Sequence, residues 1–246
     1  MTATVLTHEN NGVLTLTINR PERRNALDVA TYLALAEKIR AASASKDYRA
    51  IVITGANNYF TAGNDLKDFQ KPRTSGDSGG IILLRSLIDC DLPIIAAVEG
   101  RAIGIGVTML QHCDFICAAD NALFTIPFVA LGLCPEGASS VLLAQIVGAR
   151  RASDWLLRGK TFGAQEALDA GFITQVTNPG QALAIAQALG DELAALPPQA
   201  LQLSKRMMKH AQRPMLHETL KYEFELFSER LQSEEAQAAV AKLLKK

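Results

Sequence analysis

"LPIIAAVEGRAIGIGVTML", residues 92–110, is the stretch whose reading decides the fold. Its first half, 92–100, is a short apolar run with the length of a strand buried on both faces, closed by Gly100. Its second half, 100–110, places Gly104 and Gly106 where the backbone must turn tightly and be approached closely, and then supplies an apolar run that starts a buried helix. Strand, glycine turn and buried helix form the repeating step of an α/β protein, and the chain takes the same step earlier. "YRAIVITGA" (48–56) reads as a strand, and "YFTAGNDLKDF" (59–69) reads as a turn opening a helix at Asn64, which leaves N–H groups there without intrahelical partners. Further strand-like runs are "GVLTLTINRP" (12–21), "CDFICAAD" (113–120) and "GFITQV" (171–176). Helical patterns separate them, and that alternation argues for α/β architecture. The helix after the first run carries Val29, Tyr32, Leu33, Leu35, Ala36 and Ile39 near the 3.6-residue period, with Asp28 placed to cap it.

From about residue 137 onward helix signals dominate. "PMLHETLKYEFELFSERL" sets Leu216, Leu220, Phe224, Phe227 and Leu231 on one stripe, and "SEEAQAAVAKLLKK" opens on Ser233 and two glutamates and closes on lysines, in keeping with the helix dipole. Such a stripe serves the chain's own core or a subunit interface. "QKPRTSGDSGG" (70–80) is rich in helix breakers and is expected to be a mobile loop. Bulk composition excludes some function classes. Lys and Arg number 25, as do Asp and Glu, and the net charge is +0, so no overall field draws the 246-residue chain to nucleic acid or an anionic membrane. No stretch approaches the roughly 20 apolar residues of a membrane span, and the N-terminus lacks a basic region followed by an apolar core. The cytoplasm is the expected location, and the closing "LLKK" is not a peroxisomal address. Cys90, Cys113, Cys117 and Cys134 form no C-x-x-C pair, so reduced thiols are expected and no metal site.

Two glycine turns following two strands can aim two main-chain amides at one point. That is what an oxyanion hole requires, because charge developing on a carbonyl oxygen is best stabilised by donors fixed in advance. Taken singly, each feature has a plainer reading. "AGND" is also an ordinary capped helix start. "GIGVTM" departs from a dinucleotide fingerprint, with Met109 where the third glycine or alanine would stand and no acidic residue in a clear ribose-binding position. Glu136 is the one carboxylate in "IPFVALGLCPEGASS" (126–140), and ahead of a helix it could simply favour the dipole. A carboxylate in such apolar company must otherwise take up a proton or find partners.

In order along the chain, "NRPERRNAL", "FTAGNDL", "GRAIGIGVTMLQHCD", "FTIPFVALGLCPEGASS" and "GKTFGAQEALDAGFITQV" resemble the crotonase, or enoyl-CoA hydratase/isomerase, superfamily. Within it the "GNDL" and "PFVALGLCPEGASS" motifs are most similar to the peroxisomal type of Δ3,Δ2-enoyl-CoA isomerase. The resemblance implies an α/β crotonase fold, a ClpP/crotonase-like spiral of β-β-α units over 1–195, followed by a helical oligomerisation region over 196–246 that supports a homotrimer or a dimer of trimers. It implies that the N–H groups of Asn64 and Ile105, with Gly63 and Gly104 shaping their turns, bind a thioester oxygen, and that Glu136 is the catalytic acid–base. It further implies that Arg24, Ala26, Ala62, Asp65 and Leu66 meet the coenzyme A portion of an acyl-CoA, with Arg24 a phosphate partner or a solvated surface charge, and that Phe128 and Leu131 line the acyl side. No separate cofactor is implied, since CoA enters as part of the substrate. His8, His112, His210 and His217 lie outside these motifs and receive no role.

Hydratases of this superfamily use two glutamates, and the matching positions here are Thr108 and Phe128. Neither can hold and deprotonate a water, so hydration is expected to be poor. Moving a double bond from the 3 to the 2 position needs only one group to carry a proton from the α-carbon to the γ-carbon. Dry surroundings of Pro127, Phe128, Leu131 and Leu133 would raise the affinity of Glu136 for that proton. The expected activity is therefore 3-enoyl-CoA to 2-trans-enoyl-CoA isomerisation in fatty acid β-oxidation. The alternatives are hydration or another crotonase-type acyl-CoA reaction, and a non-catalytic acyl-CoA-binding or assembly subunit.

Overall fold

In the computed structural model, which describes residues 3–68 and 78–244, the β-type runs pair into a six-stranded sheet. Its order is β1 (Val5–Asn10), β2 (Val13–Ile18), β3 (Ala50–Gly55), β4 (Ile94–Val98), β6 (Phe115–Ala119) and β9 (Gln175–Thr177). Only β1 and β2 are antiparallel; every later pair is parallel, as strands joined through helical crossovers must be. A second sheet of β5 (Arg101–Ile103), β7 (Leu123–Thr125) and β8 (Phe162–Gly163) stands beside it.

Alternation along the central strands divides the interior in two. Val13, Val52, Ile95, Ala97 and Cys117 point to the face covered by α7 (Ala182–Ala194) through Ala182 and Ala186. Leu14, Leu16, Ile51, Ile53, Ile94, Ala96 and Val98 point the other way, into the larger core shared with α1 (Val29–Ala44) and α2 (Gly79–Asp89). Each fully buried Leu or Ile there contributes roughly 1.5–3 kcal/mol relative to exposure. Asp28 caps α1 by accepting from the Thr31 N–H. Tyr32, Leu35, Ala36 and Ile39 form the buried stripe, but Val29 and Leu33, expected to join it, are 51% and 41% exposed and lie on the outer face.

Other expectations are corrected locally. No helix opens at Asn64: Leu27 donates to the Gly63 carbonyl and accepts from the Asp65 N–H, which holds Asn64 extended in a bridge to Leu27. The run 171–176 is a strand only from Gln175, because the N–H groups of Phe172 and Ile173 fold back onto the Ala167 carbonyl and finish α6 (Ala164–Asp169). The β1 hairpin arm carries no pattern that marked it, being exposed over most of its length. The loop expected at 70–80 lies mostly outside the described residues, and Gly79 and Gly80 belong to α2. Further helices are α5 (Ala149–Leu157), α8 (Pro198–His210), α9 (Arg213–Leu231) and α10 (Glu234–Leu244). Leu216, Leu220, Phe227 and Leu231 are buried in the same core as β2 to β4, with Phe224 half-buried against it. No helix among the described residues is long and apolar enough to cross a membrane.

Candidate active site

Backbone pairing alone brings the two glycine turns together. Segment 24–27 runs alongside the first turn: the Ala62 N–H donates to the Arg24 carbonyl at 3.0 Å, and the Thr61 hydroxyl donates to the Asn25 carbonyl at 2.6 Å. Asn25, fully buried in a left-handed conformation, donates through its side-chain amide to the Ala56 and Tyr59 carbonyls and so braces the turn from behind. Arg20 bridges Asp28 and Asp65 at 3.2 and 3.1 Å, tying the start of α1 to the same turn. On the other side, Thr61 bridges Ala102 of β5, donating to the Arg101 carbonyl and accepting from the Ile103 N–H.

This pairing leaves no room at Gly63. At φ +84°, a Cβ there would lie 2.5 Å from the Ile103 carbonyl oxygen, so only glycine permits the close approach. Gly104 then turns the chain with φ 56° and ψ −119° into the short helix α3 (Ile105–Thr108). Among the described residues, nothing accepts from the N–H of Asn64 or of Ile105. The first is left over by the Leu27 bridge and the second is the opening amide of a helix, so two unsatisfied donors stand on adjoining strands of chain. The Tyr32 hydroxyl donates to Asn64 Oδ1 at 2.7 Å, tying that side chain to α1.

Glu136 does not cap the helix that follows it. Helix α4 (Ser139–Val147) begins after Ala138, which takes a left-handed conformation, and its first free N–H groups are taken by a different carboxylate. Glu223 of α9 accepts from the Ala138 N–H at 2.6 Å and from the Ser140 N–H at 2.9 Å. The half-buried Glu136 side chain turns instead to Thr108, whose hydroxyl donates to Oε1. Thr108 lies three residues beyond Ile105 on α3, about 4.5 Å of helical rise, so the carboxylate reaches the same small helix that offers the second amide. Burial pushes the Glu136 carboxyl up to about 8; the Thr108 hydroxyl opposes the rise and the Glu223 carboxylate adds to it. His112 supports the turn from behind, its Nε2 lying 2.9 Å from the Gly137 carbonyl, and burial pulls that imidazole down to about 4, so it donates as a neutral ring.

The remaining candidates fall into two groups. Arg24, Ala26, Ala62, Asp65 and Leu66 sit together where segment 24–27 meets the first turn, Arg24 exposed at φ 51° and Asp65 engaged by Arg20. Phe128 is buried, stacked edge-to-face on Phe227 with centroids 6.1 Å apart, and its ring would be 3.6 Å from a Cβ at Gly104. Leu131 lies half-buried in the 3-10 turn Val129–Leu131. Sequence reading missed the Thr108–Glu136 pair, the Glu223 clamp, the Tyr32–Asn64 bond and the Gly137 support from His112. Each joins residues far apart in the chain, and the one available signal was a polar side chain within an apolar helix stripe: Glu223 one position before Phe224, and Thr108 between Val107 and Met109.

The arrangement defines a class of protein before it defines a family. A crystal structure of an enoyl-CoA hydratase/isomerase from Pseudoalteromonas atlantica T6c superposes with a TM-score of 0.95 at 39% identity, covering 99% of this chain and 97% of that one, and the fold is the crotonase fold. Residues 8–246 match the enoyl-CoA hydratase/isomerase family, and the chain belongs to it, as its motifs led one to expect. Relatives differ in the reaction they are named for. Enoyl-CoA delta isomerase 2 of Homo sapiens is 32% identical over 98% of this chain, and 2,3-dehydroadipyl-CoA hydratase of Escherichia coli (strain K12) is 33% identical over 95%. The chain spans 63% of the length of the human isomerase and 92% of the length of the bacterial hydratase.

Proposed function

We propose that this protein isomerises 3-enoyl-CoA to 2-trans-enoyl-CoA. The reading rests above all on one observation: the Glu136 carboxylate is turned away from the helix end that its local sequence would have it cap, and is held by Thr108 beside the helix bearing the Ile105 amide. The thioester oxygen accepts from the N–H groups of Asn64 and Ile105. Glu136 removes a proton from C2, and the C–H electron pair enters a dienolate spread over the thioester oxygen, C2 and C4. Glu136 then returns the proton to C4, which restores the carbonyl and leaves the double bond between C2 and C3. The two amides stabilise the charge at its maximum, on the oxygen, and need no reorganisation to do so. A carboxyl with a pKa near 8 is a stronger base than an exposed one, and roughly a tenth of it is ionised at pH 7.

One carboxylate serves both proton transfers, and Thr108 and Phe128, where hydratases of this superfamily carry acids, supply no second base. The coenzyme A portion lies along Arg24, Ala26, Ala62, Gly63, Asp65 and Leu66, with Arg24 toward its phosphates, and Gly104, Phe128 and Leu131 border the acyl carbons. CoA arrives as part of the substrate and no other cofactor takes part. The working form is a homotrimer or a dimer of trimers joined through 196–246, acting in the cytoplasm in β-oxidation. To test the reaction, purified protein is offered 3-hexenoyl-CoA and crotonyl-CoA in turn. The expected result is rapid conversion of the first with slow hydration of the second; efficient hydration without isomerisation overturns the assignment in favour of a hydratase.

A further inference from the structure

We infer that Glu223 is a positioning residue for Glu136: from helix α9 it clamps the 136–140 turn by its main chain and sets the charge environment in which the acid–base works. This rests on the role of Glu136 given above. Glu223 is 4% exposed and lies 87 positions along the chain, yet it spends both carboxylate oxygens on the amides of Ala138 and Ser140, two and four residues beyond Glu136. Those bonds do two things. They hold Ala138 at φ 60°, a conformation an alanine rarely keeps without support. They also occupy the positive end of α4, which would otherwise draw the Glu136 carboxylate onto itself as an N-terminal cap.

The groups facing Glu136 leave Glu223 as the charge that matters. Thr108 on α3 contributes a neutral hydroxyl, Tyr32 on α1 a phenol that burial holds protonated, and Cys134 in the same loop a thiol raised by burial. His112 meets the Gly137 carbonyl as a neutral ring. Arg230, further along α9, is engaged by the Gly132 carbonyl and by Glu235. Glu223 also feels burial as its largest influence, countered by the Ser140 and Ala138 contacts, and its proximity pushes Glu136 upward. A carboxylate that both aims a second carboxylate and makes it harder to ionise couples the middle of α9 to the chemistry.

Two measurements test this. In Glu223→Gln, the midpoint of the ascending limb of kcat/KM against pH is expected to fall by at least half a unit, since the amide removes the charge while keeping the size of the side chain and one of its two acceptor oxygens; an unmoved limb in folded E223Q overturns the proposal. The second needs neither turnover nor that variant. Carboxyl-13C NMR of the wild type and of Glu136→Gln follows the Glu223 signal, whose titration midpoint is expected to drop in E136Q, because coupling between two sites is reciprocal. An unchanged Glu223 midpoint overturns the proposal even if E223Q fails to fold. A protein that does not convert 3-hexenoyl-CoA but retains this coupled titration would refute the reaction assigned above and leave the Glu136–Glu223 link standing.

Discussion

The two sides of the site are built by different means. The amide side is backbone: Gly63 and Gly104 allow two turns to touch, and the donors at Asn64 and Ile105 are what the bridge and the helix start leave over. The carboxylate side is made of side chains drawn from separate helices, with Glu136 from a loop, Thr108 from α3 and Glu223 from α9. Short of proline, which deletes the N–H, substitution can only displace a main-chain donor, whereas the carboxylate side can be retuned one residue at a time. Relatives named for isomerisation and for hydration stand at nearly equal identity to this chain, 32% and 33%.

The comparison breaks most sharply at Glu136. Glu136→Gln is expected to lower kcat by about 10²–10⁴-fold while acyl-CoA affinity, measured by calorimetry, stays near wild type. A catalytically silent binder would instead have no turnover to lose. The same variant reports on stability. The folded Glu136 carboxyl, at about 8, lies above the ordinary value of 4.5, so its contribution is complete below about pH 4.5 and is lost as pH rises through 8. Denaturant unfolding of wild type minus E136Q should therefore decline between pH 5 and 8. His112, lowered to about 4, acts in the opposite sense at lower pH but is common to both proteins and cancels in the difference.

Next in size is displacement of the amides. Gly63→Ala puts a Cβ 2.5 Å from the Ile103 oxygen, while Gly180→Ala, at a similar positive φ, meets nothing within 4 Å. G180A is expected to cost about 1–2 kcal/mol of stability with full activity. G63A should cost about 1–3 kcal/mol more and, if the proposed reaction holds, lose about 100-fold in kcat, because the Asn64 and Ile105 amides move apart. Equal activity loss in both variants would show that close approach of the turns is unimportant. The smallest effect is expected from Thr108→Val. Removing a hydroxyl that favours the ionised carboxylate should raise the midpoint of the kcat/KM profile by about one unit and reduce activity at pH 7 by about ten-fold. A fall in that midpoint would contradict the hydrogen bond.

This division also explains what was legible in the sequence. Strands β2, β3, β4 and β6, helix α1 with its Asp28 cap, and both glycine turns are local patterns, in which neighbouring residues carry the signal, whereas β5 lay hidden in the run read as the second turn. Val29 and Leu33 misled because apolar side chains on an outer helix face look the same as buried ones until the packing is known. Asn64 misled because its extended backbone is imposed by Leu27, 37 positions away, against a local preference for a capped helix. Glu136 could be singled out by its apolar company, but its direction could not, because Thr108 and Glu223 reach it only through the tertiary fold.

Helix α9 carries Leu216, Leu220 and Phe227 into the common core, and Phe227 packs on Phe128. During synthesis at roughly 5–20 residues per second, that helix emerges several seconds after the loop bearing Glu136. A nascent chain therefore has the glycine turns in hand long before it has the wall behind its acid, and an apolar cleft stands open to chaperones in the interval. Protein released before α9 is made should be retained by them rather than accumulate as a folded, partly active fragment.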